Sequence, residues 1–217
     1  MLFFLLLCAT PSMHLCAQDA QANDSTTTPF KKGRWLSGLS GTFSSSALKL
    51  ESQDVLFANS SYGLDIFTGI FFKERWFAGI NVSAVQSGGK GLIERESETF
   101  IIGPSIRRYF LKEAYGSLYL SVFPGFIRIR EESRVGIEEE VFEQIAEGPG
   151  FAIRTRLGYS YVLSPRIILD VGVGTSLAWL DLTYENDRQE ILRNESVFSN
   201  TTFFSFGFNV MLDEFFF

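Results

Sequence analysis

Three basic and two acidic residues lie on four segments of the chain in which apolar residues alternate with small or polar ones. They are Asp65, Arg107, Arg154, Arg156 and Asp170. A charge facing lipid would cost about 2 to 4 kcal/mol near the middle of a bilayer, so such charges are expected to turn toward an interior where they find partners. If these segments are strands of a barrel in lipid, as their alternation indicates below, we predict that the charges form a network of Arg–Asp pairs that fills and stiffens the narrow interior, or lumen, of the barrel. The alternative is that they form an ion-selective filter.

Imidazole and thiol chemistry are confined to the start of the chain. The single histidine, His14, and both cysteines, Cys8 and Cys16, precede residue 23. Removal of this stretch as a signal peptide would leave no imidazole for general-base catalysis and no thiolate for a metal or a disulfide. We therefore expect no enzyme, no cofactor and no metal site. A paired-carboxylate site stays open, although the acidic run at 138–140 is better interpreted as a solvated loop.

The N-terminus has the character of an export signal. An apolar run from Met1 to Leu7 is too short for the roughly 20 residues of a membrane-spanning helix, and Ala20-Gln-Ala22 provides the small residues that signal peptidase accepts. The predicted organisation is a signal peptide at 1–22, a periplasmic leader at 23–33 and one domain at 34–217.

The rest of the chain alternates between large apolar and small or polar residues, and its last segment shows this best. One face carries Phe204, Phe206, Phe208, Val210 and Leu212, and the other carries Ser205, Gly207, Asn209 and Met211. Successive strand side chains point to opposite faces. A greasy outer face with a small or polar inner one is typical of a barrel in lipid. The fold class predicted is all-β, a single up-and-down antiparallel transmembrane β-barrel of about eight strands.

The same alternation places all eight strands and their connections. The predicted strands are 34–46, 54–72, 75–86, 96–111, 116–132, 142–163, 166–182 and 197–212. The predicted longer loops are 47–53, 87–95, 133–141 and 183–196. Short turns gather at one end with both termini, which predicts that this end faces the periplasm and the longer loops face the exterior. The alternation changes parity at Pro124-Gly125, where we expect a β-bulge.

Short motifs carry a family resemblance. The segment from Ser205 to Leu212 resembles the terminal-strand assembly signal of outer-membrane proteins, through Ser205, Gly207, Val210 and Leu212. Lys32-Gly-Arg-Trp35 and the segment 102–110 resemble small outer-membrane barrel proteins of Bacteroidetes type, the porin-family or OmpA-like eight-stranded barrels. The resemblance implies location in the outer membrane of a Gram-negative-type cell, contact with its lipid, and the barrel assembly machinery as a partner.

Four functions remain to be compared. A structural or surface-interaction barrel with a largely filled lumen is favoured, because eight strands leave an interior just wide enough for side chains, and a ligand would then meet the longer loops. The alternative is a narrow porin-like channel for small or apolar solutes. An enzyme is disfavoured by the missing histidine, and a soluble lipocalin-type barrel by the facing of the large residues. The net charge of -6 offers no basic patch for nucleic acid.

Overall fold

The computed structural model describes residues 28–49, 56–90, 93–137, 140–186 and 191–213, so the predicted signal peptide at 1–22 lies outside the described residues. Eight strands occupy these ranges: β1 Trp35–Lys49, β2 Leu56–Lys73, β3 Trp76–Lys90, β4 Ile93–Tyr109, β5 Gly116–Ile137, β6 Glu140–Ser164, β7 Ile167–Asn186 and β8 Ile191–Leu212. Within the described ranges, no helix is long and apolar enough to cross a membrane.

The strands form one closed up-and-down barrel in which each is antiparallel to the next and β1 pairs with β8. Starting at Trp35 on β1 and moving from each residue to its partner on the next strand, the path through β2 to β7 reaches Thr202 on β8. The residue of β8 that pairs directly with Trp35 is Leu212, ten residues further along the chain. This stagger of ten residues tilts the strands against the barrel axis. The predicted fold class is confirmed.

The strand ends differ between the two ends of the barrel. At the end that holds residues 74–75, 110–115 and 165–166, which we call the lower end, every predicted strand end is within two residues of the observed one. At the upper end three of the predicted longer loops are wrong, because the strands leave only 91–92, 138–139 and 187–190 between them, whereas the connection 50–55 is close to the predicted loop 47–53. Polar residues continue the strand ladder there without the alternation that marks strands in sequence.

The predicted facing holds through the middle of the barrel. Leu64, Ile66 and Phe206 are about half exposed on the outer surface, whereas Asp65 and Ser83 are fully buried inside. The outward apolar residues form a zone that would face lipid, which we call the greasy zone. Outward aromatic side chains lie along its upper edge on seven strands: Phe43, Tyr62, Phe100, Phe126, Phe151, Trp179 and Phe198. Such a girdle is typical of the interface between lipid and water.

The β-bulge expected at Pro124-Gly125 is wrong. The register of β4 with β5 is the same at Ile106–Val122 and Ile102–Phe126, so no residue is inserted between them. Ile127 consequently points inward and is buried, while Arg128 points outward. The face that carries the apolar residues of β5 changes because the strand leaves the greasy zone here. Above this zone the apolar residues of β5 face the interior, as they do in a water-soluble barrel.

The lower end of the lumen is filled by an aromatic cluster. It comprises Phe30, Leu36, Phe67, Phe71, Phe77, Tyr109, Tyr119, Ile168 and Met211. The ring of Phe30 stacks on Tyr109 with centroids 3.9 Å apart, and the backbone N–H of Arg75 donates to the Phe30 carbonyl at 2.8 Å. Phe30 belongs to the predicted leader at 23–33, so part of that leader packs into the barrel.

Inward glycines make room for the rings. A Cβ on Gly158 would lie 2.7 Å from the ring of Tyr119 and 2.5 Å from the carbonyl oxygen of Val171. A Cβ on Gly174 would lie 2.5 Å from the ring of Phe203. Both are closer than van der Waals contact, so the absence of a side chain is what lets these rings lie flat against the inner wall.

Replacing an inward glycine should therefore cost more than replacing an outward one. We expect Gly158→Ala to destabilise the barrel by about 1–3 kcal/mol through overpacking. Gly41→Ala is the matched control, since its Cβ would meet only the Phe206 carbonyl oxygen, at 3.9 Å, and alanine is favoured over glycine in a strand by about 0.5–1 kcal/mol. The measurement is urea unfolding of the barrel refolded in lipid vesicles; equal midpoints for both variants would contradict the ring-over-glycine packing.

Candidate functional site

Asp65 lies in the middle of the lumen between two arginines of the opposite wall. Arg154 donates to its Oδ1 at 2.9 Å and Arg156 donates to its Oδ2. Asp65 comes from β2 and both arginines come from β6, where alternation sends residues two apart to the same face. Arg154 also donates to Ser83, and Arg156 donates to Ser40 at 3.3 Å. These contacts connect β2 and β6 across the lumen and bring in β1 and β3.

A second ion pair lies nearer the aromatic cluster. Arg107 on β4 donates to Asp170 on β7 at 2.6 Å and to the Tyr109 hydroxyl at 3.1 Å. Ser160 donates to the other Asp170 oxygen. Both charged side chains are 3% exposed, and the hydrogen bonds with Ser160 and Tyr109 offset part of the cost of burying the pair, whereas Nε of Arg107 has no hydrogen-bond partner among the described residues.

Aromatic faces complete the surroundings of the guanidinium groups. Arg107 lies 4.4 Å from the ring centroid of Tyr119 and 4.6 Å from that of Phe67. Arg154 lies 4.5 Å from the ring centroid of Phe203. Three arginines face two aspartates, so one positive charge is in excess, and the negative faces of the rings offset part of it.

All five predicted lumen charges point inward, and they form two groups rather than one network. Sequence reasoning missed the serines that complete the groups and the rings of Phe30 and Phe203. A signal for Phe203 was present, since it precedes the outward Phe204 and so alternates to the inner face. Phe30 carried no such signal, because it lies before the first strand.

The residues that resemble the assembly signal of outer-membrane proteins lie on the lower part of β8. Ser205 is buried and donates to the Gly172 carbonyl at 3.2 Å. Gly207 faces inward against Ser40, Val210 faces outward, and Leu212 pairs with Trp35 at the barrel's closure.

Above the charged groups the lumen widens into a cavity of about 520 Å³, which we call the upper cavity. Arg154 and Phe203 line its lower boundary. One side is apolar and presents Ile101, Ile127, Ile129, Ala178 and Leu180. The other side presents the hydroxyl groups of Thr42, Ser44, Ser61, Ser87, Ser97 and Thr99. A hollow of this size that is apolar on one side and lined by hydroxyl groups on the other is large enough for a small amphipathic molecule.

Metal chemistry has no visible support in the described part of the chain. No group of three or more His, Cys, Asp or Glu side chains is placed there to hold a metal ion. The predicted acidic run at 138–140 covers the connection 138–139 and the first residue of β6, and its side chains lie outside the description. What the lumen offers chemically is electrostatic: two sets of fixed ion pairs above a layer of rings.

Removing the shared carboxylate should destabilise the barrel strongly. Asp65→Asn leaves Arg154 and Arg156 buried without their counter-charge, and we expect a loss of about 3–5 kcal/mol in the free energy of unfolding. Glu132→Gln is the matched control, because its pair with Arg130 is about half exposed and worth about 1 kcal/mol or less. Both are measured by urea unfolding in vesicles, and similar losses would mean that Asp65 is not the centre of the lumen.

Comparison with known proteins shows the fold. No protein-family model matches the sequence, and no match is found among curated proteins. A major outer membrane protein from Thermus thermophilus superposes with a TM-score of 0.54 at 8% identity, covering 82% of this chain and 99% of that one. Neisserial surface protein A gives 0.49 at 13% identity with 82% and 96% covered, and the outer membrane protease OmpT from Escherichia coli gives 0.40 at 8% with 85% and 95% covered. The superposition on the Thermus protein, together with the eight strands of the closed sheet, shows the architecture of an outer-membrane β-barrel.

Proposed function

We propose that this chain is an integral outer-membrane barrel that does not conduct and that acts at its outer end, as a structural or surface-interaction protein rather than an enzyme. The observation that carries the proposal is the filled lumen. From Arg154 downward the interior is occupied by the two ion-paired groups and then by the aromatic cluster, with Phe30 across the lower opening.

The upper end supports a role outside the membrane. Above the ring of outward aromatics, β5 presents Arg128, Arg130 and Glu132 on its outer face, where a lipid-facing strand would carry apolar residues. At the start of β8, Ile191 and Leu192 are 65% and 55% exposed. Strands that continue into water and end in exposed apolar side chains are suited to contact with a surface ligand.

A narrow channel for small or apolar solutes is the second candidate. The upper cavity favours it, because solutes could enter there. The buried Arg107–Asp170 pair and the stacked rings of Phe30 and Tyr109 oppose it, because a solute would have to break both to pass. A filled lower lumen therefore favours the closed barrel over the channel.

Two partners belong to the proposal. Outer-membrane lipid would contact the exposed apolar band of Leu64, Ile66, Phe204, Phe206 and Phe208. The barrel assembly machinery would recognise the end of β8, through Ser205, Gly207, Val210 and Leu212. The only histidine, His14, lies in the predicted signal peptide, which supports a non-enzymatic role.

The closed lumen predicts electrical silence. We expect the chain from Asn23 onward, refolded in lipid and verified by heat-modifiable gel migration, to give no discrete conductance steps in a planar bilayer. The physical reason is that ions would have to displace paired charges in a narrow interior. Discrete steps from the correctly folded protein would overturn the closed-barrel proposal and favour the channel.

The same closure predicts an accessibility boundary inside the barrel. The chain from Asn23 onward has no cysteine, so a single introduced thiol is the only reactive one. In folded barrels exposed to a membrane-impermeant thiol reagent on both faces, we expect Ser61→Cys in the upper cavity to react. Ser105→Cys, at a position that is 3% exposed and lies toward Arg107, should react only after unfolding. Equal reaction of both thiols in the folded state would refute a filled lower lumen.

A further inference from the structure

The wall of the barrel is not paired along its whole height. The ladder between β1 and β8 ends where Phe43 pairs with Phe204. Both strands continue upward from there, but β1 as far as Lys49 pairs with β2, and β8 from Ile191 pairs with β7. Among the described residues, the upper parts of β1 and β8 therefore border a seam without ladder hydrogen bonds between them.

The upper cavity extends into this seam. From β2 to β7, the residues that line the cavity are those whose alternation points them inward. From β1 and β8, outward residues line it too: Phe43, Ser45, Asn200 and Thr202. A hollow that is lined by both faces of two neighbouring strands passes through the wall between them.

The seam opens beside apolar outer surface. Phe43 and Phe204 at its lower end are 54% and 49% exposed. Further up β8, Phe198 is 57% exposed and its ring lies 5.5 Å from that of Trp179. The lower end of the opening thus lies at the aromatic girdle, where it borders the outer leaflet of the bilayer and gives an amphiphile in that leaflet a route into the cavity.

The chemistry of the cavity selects the kind of molecule. An apolar chain would contact Ile127, Ile129 and Leu180, and a polar end would find hydroxyl groups on the opposite wall and at the seam. The charges at the cavity are already paired, since Arg154 binds Asp65 and Arg95 binds Glu131 at 3.0 Å. An uncharged polar end is therefore favoured over a carboxylate or a phosphate.

We infer that the upper cavity binds a single-chain amphiphile with an uncharged polar end, such as a fatty alcohol or a monoacylglycerol, which enters from the outer leaflet between β1 and β8. This site goes beyond the proposed surface role. It requires only the upper half of the lumen, and it is tested by a different measurement from conductance.

A disulfide across the seam provides the test. Ser45 and Thr202 would be the next outward pair above Phe43 and Phe204 in the same register, so Ser45→Cys with Thr202→Cys closes the seam when oxidised. Ser37→Cys with Val210→Cys is the matched control, because this outward pair already lies within the ladder and its cross-link leaves the seam unchanged. Disulfide formation is verified by intact mass.

The probe is a fatty alcohol with a photoreactive diazirine on its chain, added to phosphatidylcholine vesicles that contain the barrel. Mass spectrometry then maps the labelled residues. We expect labelling of Ile127, Ile129 and Leu180 on the inner wall, its loss in the oxidised seam variant, its return on reduction, and no loss in the control cross-link. Labelling restricted to outward residues such as Phe204 and Phe206 in every form would overturn the inference, because it would show bilayer contact only.

A second variant keeps the test decisive if the seam disulfide does not form. Ala178→Trp places a large ring in the upper cavity without altering β1 or β8, and it should abolish inner-wall labelling. Ala84→Trp adds the same ring to the outer surface of β3 and should leave inner-wall labelling intact. Persistence of inner-wall labelling in Ala178→Trp would also overturn the inference.

Discussion

The attachment of Asp65 to Arg154 and Arg156 is the interaction on which the interior of this barrel depends. An eight-stranded barrel surrounded by lipid can place its charges only inside, and the inside is so narrow that charges from opposite walls meet. Asp65 therefore connects β2 to β6 directly, at a depth where water does not compete. The arrangement that avoids the cost of charge in lipid also joins strands that the sheet itself does not pair.

Aromatic rings offset part of the excess positive charge of the two ion-paired groups. Three buried guanidinium groups have only two carboxylates, and the faces of Phe67, Tyr119 and Phe203 lie against them. Those rings fit because the wall beside Phe67, Tyr119 and Phe203 is glycine, at Gly38, Gly158 and Gly174 respectively. Glycine, ring and arginine thus pack as one unit. The glycine on one strand leaves room for an aromatic ring, and the face of that ring offsets part of the positive charge of an arginine on another strand.

The period-two pattern of large residues was sufficient to predict eight strands, their order and the facing of Asp65, because lipid imposes one rule along the whole greasy zone. The pattern failed where that rule stops. Above the aromatic girdle β5 carries Ile127 and Ile129 on its inner face and charged residues on its outer face, so the change of parity after Pro124 is mistaken for a bulge. The polar strand ends are mistaken for loops. Phe30 was missed for a different reason: a residue outside any strand has no alternation, and only the folded barrel supplies the ring of Tyr109 on which it stacks.

The two ends of the lumen are consequently unlike. Below Arg154 the lumen is filled by ion-paired charges and aromatic rings, and the closure of β1 on β8 is a regular ladder down to Trp35 and Leu212. Above it the same two strands separate, and the hollow between them is lined by side chains that water would hydrate poorly on one side and well on the other. A barrel built only for rigidity would gain from continuing the ladder through Ser45 and Thr202, since each unpaired strand edge forfeits hydrogen bonds. The closed lower half supplies rigidity without a ladder between the upper parts of β1 and β8, and this division of the barrel is the structural argument for the binding site inferred at its upper end.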